Sequence, residues 1–287
     1  MLLKLQKLNH SLKALSGAEG FTVLYNSIKK REPCSILFYS QHKCASVFIP
    51  NILGALSHFS IPRLKHVDYS HIIAQSSWLY GFGAKYSHDE DFFEQFGADL
   101  FKPNGFLYGP LRHPFILPHW HAFKTIFFLR DPRDSLVSAY HSFGFTHSIP
   151  MDSDEKARFL ERRQWIQQND IDSFCLKMAK DWSLPLLSSY RRMVQSSIKE
   201  PLVVKYEDFA ISPESIIAKI FAFSKVQVSD KEVNRLSEKA SPLQSNIQEE
   251  SHKRSGQPGQ YLVRLKSETI EGINKILHKE LAFFNWA

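Results

Sequence analysis

The apolar positions between Ser35 and Leu56 change their period once. Ile36, Leu37, Phe38 and Tyr39 form an unbroken β-branched and aromatic run, which predicts a buried strand, whereas Ile49, Ile52, Leu53 and Leu56 recur at helical spacing. The polar residues Ser40 to Ser46 between them predict a tight turn, so the stretch reads as strand, turn, helix. The pattern returns further on. Gly105 to Leu111 predicts a short strand that stops at Arg112, His113 and Pro114, and Thr125 to Leu129 predicts a buried one. After it, Asp131 can cap a helix with Pro132 in the first helical position, and the helix runs through Val137 and Tyr140. Ile171 to Val194 continues helically, Pro201 to Tyr206 is the last strand candidate, and a helix over Pro213 to Phe223 follows.

Strands followed by helices predict an α/β fold, a single domain over residues 31–287 with a central, mainly parallel sheet flanked by helices. Residues 1–30 precede it as an amphipathic helical segment. Leu5, Leu8, Leu12 and Leu15 stand at steps of three and four with Lys4, Lys7 and Lys13 between them, too interrupted for a transmembrane span. Packing on the body or on a second subunit is the expected use of that face, with weak contact to a membrane surface as the alternative. From His58 to Asn104 the periodicity is poor and aromatics crowd in, which predicts either the cover of a pocket or aromatic packing of irregular loops. Arg158, Glu161, Arg162 and Arg163 read as the solvated face of an exposed helix.

A helix that starts just after a parallel strand aims unpaired backbone N–H groups at the turn, and Lys43 adds a full charge there, so Ser40 to Ser46 is a candidate anion site. The alternative is an ordinary α/β turn with Lys43 facing water. A magnesium-dependent nucleotide triphosphate loop would need glycines before the lysine and a hydroxyl after it; here Gln41 and His42 precede Lys43 and Cys44 follows. Arg130 leaves a strand end as a planar fork suited to a phosphate, and Ser138, two helical turns on, can offer a hydroxyl from the same side. Pairing of Arg130 with an internal carboxylate is the competing fate. Near the end, Lys253, Arg254, Gly256 and Gly259 fall in a polar loop whose glycines would let backbone N–H groups approach an anion.

The formal net charge of +7 over 287 residues suits an anionic ligand, a nucleic acid or an acidic membrane face. No RNA-binding signature or basic block accompanies it, so no nucleic-acid partner is expected. Cys34, Cys44 and Cys175 are odd in number and lack metal-ligand spacing, which predicts a reducing, cytoplasmic setting and no metal site. A thiol beside Lys43 at a helix N-terminus should ionise readily, unless Cys44 is a small packed hydrophobe.

Four separated segments together resemble the sulfotransferases that use 3′-phosphoadenosine 5′-phosphosulfate (PAPS) and release 3′-phosphoadenosine 5′-phosphate (PAP). KCASVF from Lys43 resembles the family's 5′-phosphosulfate loop, RDPRDSLVSAY from Arg130 its 3′-phosphate motif, VKYEDF from Val204 the strand end that brings a tyrosine to the adenine, and RSGQPGQY from Arg254 its late RKGxxGDW loop. The resemblance implies a P-loop-like strand–loop–helix and transfer of a sulfuryl group to a hydroxyl, less readily an amine, on a small-molecule or carbohydrate acceptor, in line and without a metal. It implies that Lys43, Cys44, Ala45, Ser46 and Val47 hold the 5′-phosphosulfate, with Lys43 stabilising the leaving oxygen. Arg130, Ser138, Arg254, Ser255 and Gly256 would hold the 3′-phosphate, Tyr206 would meet the adenine, and His113 would be the catalytic base, with His66 and Asp68 as its alternatives.

The chain departs from the family's pattern at four positions. Cys44 and Ala45 replace serine and glycine, Val47 replaces a threonine and Ser255 a lysine, and the alanine raises the question of strain in a turn that glycine would relax. A donor-binding scaffold without catalysis and a P-loop nucleotide kinase are the rival readings. Acceptor identity and homo-oligomer formation stay open at this stage.

Overall fold

Ile36–Ser40 (β1) is buried along its whole length because it has a strand on each side. In the computed structural model it pairs in parallel with Phe106–Leu111 (β3) and with Lys124–Leu129 (β4). Lys65–Val67 (β2) joins β3 at one edge and Leu202–Lys205 (β5) joins β4 at the other, so five parallel strands run in the order β2-β3-β1-β4-β5. The structure describes residues 32–45, 48–68, 93, 97–117, 119–150, 153–240 and 256–286. The chain divides at Pro33, and the body Cys34–Ala287 is a single α/β domain, as the alternation of periods predicts. The amphipathic segment 1–30 lies outside the described residues.

Residues alternate in burial face along each strand, and each face carries its own core. Leu37, Tyr39, Phe127 and Leu129 face one cluster, with Leu136 and Val137 of Pro132–His141 (α2), Ile166 of Ser153–Gln168 (α3), Phe174 of Ile171–Met178 (α4), Tyr190 of Leu184–Ser196 (α5) and Ile273 of Ser267–Phe283. Ile36, Phe38, Ile126 and Phe128 face the other, with Ile52 and Leu53 of Ile49–Phe59 (α1), Phe209 of Tyr206–Ile211 (α6), Ile217 of Pro213–Ser224 (α7) and Leu236 of Asp230–Ala240 (α8). Gly109 permits the closest contact inside the sheet: a Cβ there would stand 2.7 Å from the Phe38 carbonyl oxygen.

The structure departs from the predicted elements at a few places. Strand β2 is three residues long and largely exposed, with no apolar run to announce it. The helix predicted over 171–194 is divided by a π-helical turn, Ala179–Ser183, and a second π-helical turn, Ser142–Thr146, follows α2. Among the described residues no helix is long and apolar enough to cross a membrane.

The connection from β1 leads toward β2 on one side of the sheet, while β4 leads to β5 on the other. The carboxyl ends of β1 and β4 therefore flank the point where the strand order reverses, which is where open α/β sheets bind ligands. Both predicted phosphate motifs start there.

Candidate active site

The turn after β1 is left-handed at two places: Lys43 has φ 65° and Ala45 φ 44°. A side chain in that region costs about 1–2 kcal/mol, so Ala45 does strain a turn that glycine would relax. Several bonds offset the strain. The Ala45 carbonyl accepts from the N–H groups of Phe48 (2.9 Å) and Ile49 (3.0 Å), which starts α1. Gln41, 1% exposed, accepts at Oε1 from the Arg130 N–H (3.2 Å) and donates from Nε2 to Ser135 Oγ (3.3 Å). From the other side, the Arg112 Nη1 donates to Ser40 Oγ at 3.2 Å. Ser46 and Val47 lie outside the described residues.

Cys44 has no exposed surface, and its thiol is not the activated group that its position suggests. Burial pushes the thiol well up, and the opposing pull of Arg130 and Arg112 does not reverse this. The helix N-terminus and Lys43 favour a thiolate only where solvent or a partner supports the charge; here Cys44 belongs to the second core cluster, with Ile36, Phe48 and Tyr206 among its members. Cys44 is a small packed hydrophobe.

Arg130 meets an internal carboxylate, the competing fate foreseen for it. It lies 3.7 Å from Asp134 through Nη2, and its guanidinium stacks on the Tyr206 ring at 4.4 Å. Its Nη1 donates to the Lys43 carbonyl at 3.0 Å, yet its buried Nε has no hydrogen-bond partner among the described residues. An unmet donor on a cation that is 7% exposed is costly in a folded protein unless a further acceptor reaches it. Ser138 lies two turns along α2, half-buried. Tyr206 is only 5% exposed; beyond carrying Arg130, its hydroxyl donates to the Gly256 carbonyl at 2.5 Å.

The late loop is tied to the same helix. Gly256 (φ 59°) and Gly259 (φ 82°) take left-handed conformations that glycine adopts without strain. Asp134 accepts from the N–H groups of Gly259 (2.8 Å) and Tyr261 (3.1 Å), at the start of the short helix Gln260–Arg264. The Gly259 N–H is thus used by the protein itself. Burial raises the Asp134 carboxyl, with Arg130 and the two N–H groups acting against that rise. Glu207 plays the matching part on the other side, accepting from the Asp131 N–H (2.9 Å) and the Trp286 Nε1–H (3.1 Å), and burial raises it too. Arg254 and Ser255 lie outside the described residues.

Beside Lys43 the walls become aromatic. The Lys43 ammonium sits 5.7 Å from the centre of the Phe143 ring, and His42 lies 5.3 Å from His113 and 6.5 Å from Trp182, between ring centres. Phe143 and Trp182 come from the two π-helical turns, a conformation that recurs at functional sites. His66, one of the alternative bases, meets the Gly109 carbonyl at 2.8 Å through Nε2, and Asp68 follows strand β2. Gln41, His42, Arg112, Asp134 and Glu207 were not assigned roles from the sequence. Asp134 carried one local signal, its helical spacing of four from Arg130; the others meet their partners only across the sheet.

The match to a known family model is extensive: the sulfotransferase domain model covers residues 119–285. No curated protein matches the chain. Solved structures share its fold: mouse sulfotransferase SULT7A1 complexed with PAP superposes with a TM-score of 0.55 at 15% identity, covering 89% of this chain and 86% of that one. Retinol dehydratase in complex with androsterone and PAP gives 0.53 at 13% identity, covering 88% and 82%. The same enzyme with retinol and PAP gives 0.50 at 12%, covering 88% and 82%. With its Arg130-to-Tyr140 motif, its late glycine loop and its C-terminal helix all inside the matched span, the chain belongs to the sulfotransferase family.

Proposed function

We propose that this sulfotransferase takes the sulfuryl group of PAPS and passes it to a hydroxyl of a small, largely apolar acceptor. The observation that carries the reading is Arg130, a buried guanidinium whose Nε is unmet among the described residues, fastened by Nη1 to the backbone of Lys43. That contact puts a candidate 3′-phosphate ligand and a candidate 5′-phosphosulfate ligand on one rigid support, as a donor with two separated phosphates requires. Arg130 and Ser138, with Arg254, Ser255 and Gly256 of the late loop, would hold the 3′-phosphate. Lys43 and the N–H groups of the turn, with Ser46 and Val47, would hold the 5′ end.

The chemistry follows from charge. His113 takes the proton of the acceptor hydroxyl, the oxygen attacks sulfur in line, and Lys43 neutralises the charge that grows on the departing phosphate oxygen. No step demands a metal. Phe143 and Trp182 suit an acceptor with an apolar body, and the complexes of retinol dehydratase with retinol and with androsterone support the same choice. Sulfate transfer from radiolabelled PAPS to a panel of phenols, alicyclic alcohols, amines and sugars tests the reading. Transfer to a hydroxyl compound that is lost in His113→Ala is the expected result. PAP binding with no transfer to any member of the panel would make the protein a donor-binding scaffold instead.

A further inference from the structure

His42 stands directly before Lys43 on the donor turn, and its imidazole lies 5.3 Å from that of His113 at a tilt of 59°. The two rings arrive from different parts of the fold: His42 leaves β1, whereas His113 leaves the neighbouring strand β3 two residues after Leu111. Both are half-buried, and the Trp182 ring lies 6.5 Å from that of His42 between ring centres. At this centre-to-centre separation one water would connect a nitrogen of one imidazole to a nitrogen of the other. We propose that His42 is a positioning residue for His113: the pair acts as one unit that fixes the tautomer of His113 and shares the charge of the proton it removes. The inference rests on the reading of His113 as base.

The proton balance is simple. The acceptor O–H bond breaks and its electron pair stays on the oxygen that attacks sulfur. The proton binds the bare nitrogen of His113 while its other N–H stays directed toward His42, so the pair shares the positive charge, and the same nitrogen releases the proton to water once product leaves, restoring the starting tautomer. Without a second imidazole, His113 would hold a full positive charge beside Lys43 until solvent relieved it. The other charged groups borne by the neighbouring elements are Lys43 itself, Arg112 beside His113, and Lys180 and Asp181 next to Trp182. Arg112 donates to Ser40 and the Gln41 carbonyl, and Asp181 is bonded to Lys177 at 2.7 Å. The Cys44 thiol behind the turn stays neutral.

Two imidazoles that share this charge titrate as a pair, in two macroscopic steps. Imidazole ¹H–¹⁵N correlation spectra of the full-length protein, followed against pH and assigned through His113→Gln, read this without any substrate. His113 is expected to titrate in two separated steps in the wild type and in one step in His42→Phe, with a change in its neutral tautomer ratio. His42→Asn, which keeps a hydrogen-bonding group but cannot titrate, should keep the tautomer and lose the second step. An identical His113 curve in all three proteins overturns the proposal, and PAP-induced stabilisation of each variant confirms that the fold and the donor site are intact. Failure of the base assignment shows differently: His113→Ala would then retain sulfate transfer whatever the titration of the pair.

Discussion

Arg130 donates from Nη1 to the carbonyl oxygen of Lys43 at 3.0 Å, so the residue that leaves β4 holds the backbone of the residue that follows β1. Lys43 is held at φ 65°, and the bond sits at the carboxyl edge where the two strands lie side by side. The position of the lysine thus depends on the arginine. This link shapes what each of the two should do when ligand binds or a side chain is removed.

Arg130 should make the 3′-phosphate the main source of donor affinity. PAP at about a hundred times its dissociation constant is expected to raise stability by roughly 2.7 kcal/mol, whereas AMP at the same concentration should add little. Differential scanning fluorimetry with both nucleotides checks this. Equal stabilisation would remove Arg130 and Ser138 from the roles given to them.

Lys43→Met is expected to lower turnover on the order of a hundredfold, with a smaller change in donor affinity, because its charge matters most when the leaving oxygen becomes negative. Steady-state rates together with PAP titration separate the two effects. Normal turnover with weak donor binding would mean that Lys43 only anchors.

Asp134→Ala leaves the N–H groups of Gly259 and Tyr261 without their acceptor and Arg130 without its nearest carboxylate. The expected loss is about 3 kcal/mol of folding free energy. PAP affinity should fall as well, since the late loop is no longer fastened to α2. Denaturant midpoints give the first quantity and calorimetry the second; a stable variant with unchanged PAP binding would show that the loop holds itself.

Glu207 should leave a signature in the pH dependence of stability. Burial raises its carboxyl above the ordinary value of 4.5, so the folded protein binds this proton more tightly than the unfolded chain does. Its contribution is therefore fully present at low pH and is lost as pH rises through the raised folded value. The stability advantage of the wild type over Glu207→Gln should be larger near pH 4 than near pH 7, read from guanidinium midpoints at both.

Thiol reagents should discriminate among the three cysteines. Cys44 is fully buried and Cys175 is pushed up to about 12, so both should resist alkylation in the native protein and label on unfolding; half-buried Cys34 should label first. Mass spectrometry after a timed pulse checks the order. Early labelling of Cys44 would mean that the donor turn opens.

The sequence by itself determined the elements and the ends at which chemistry sits. The strand of Ile36 to Tyr39, the Lys43 turn and the helix at Ile49 are contiguous, and Asp131, two residues after the end of β4, caps α2 by accepting from the Arg133 N–H at 2.9 Å. Signals of this kind are local: a change of hydrophobic period, a cap and a charged residue in a turn need no knowledge of the rest of the chain. Four such segments in order were enough to suggest the family.

Only the tertiary structure decided how the ends meet. Gln41 bonds Arg130 across 89 positions, Asp134 bonds Gly259 across 125, and Arg133 reaches the Trp286 carbonyl across 153. None of these pairs leaves a periodic trace, because each joins segments distant in sequence that meet only when the strands pair and the helices and C-terminal segment pack on the sheet. The same order brought His42 against His113, and it buried Cys44 where helix-end electrostatics alone had favoured a thiolate. Local sequence sets which groups an element offers; burial and distance, which set their charge and their partners, belong to the assembled sheet.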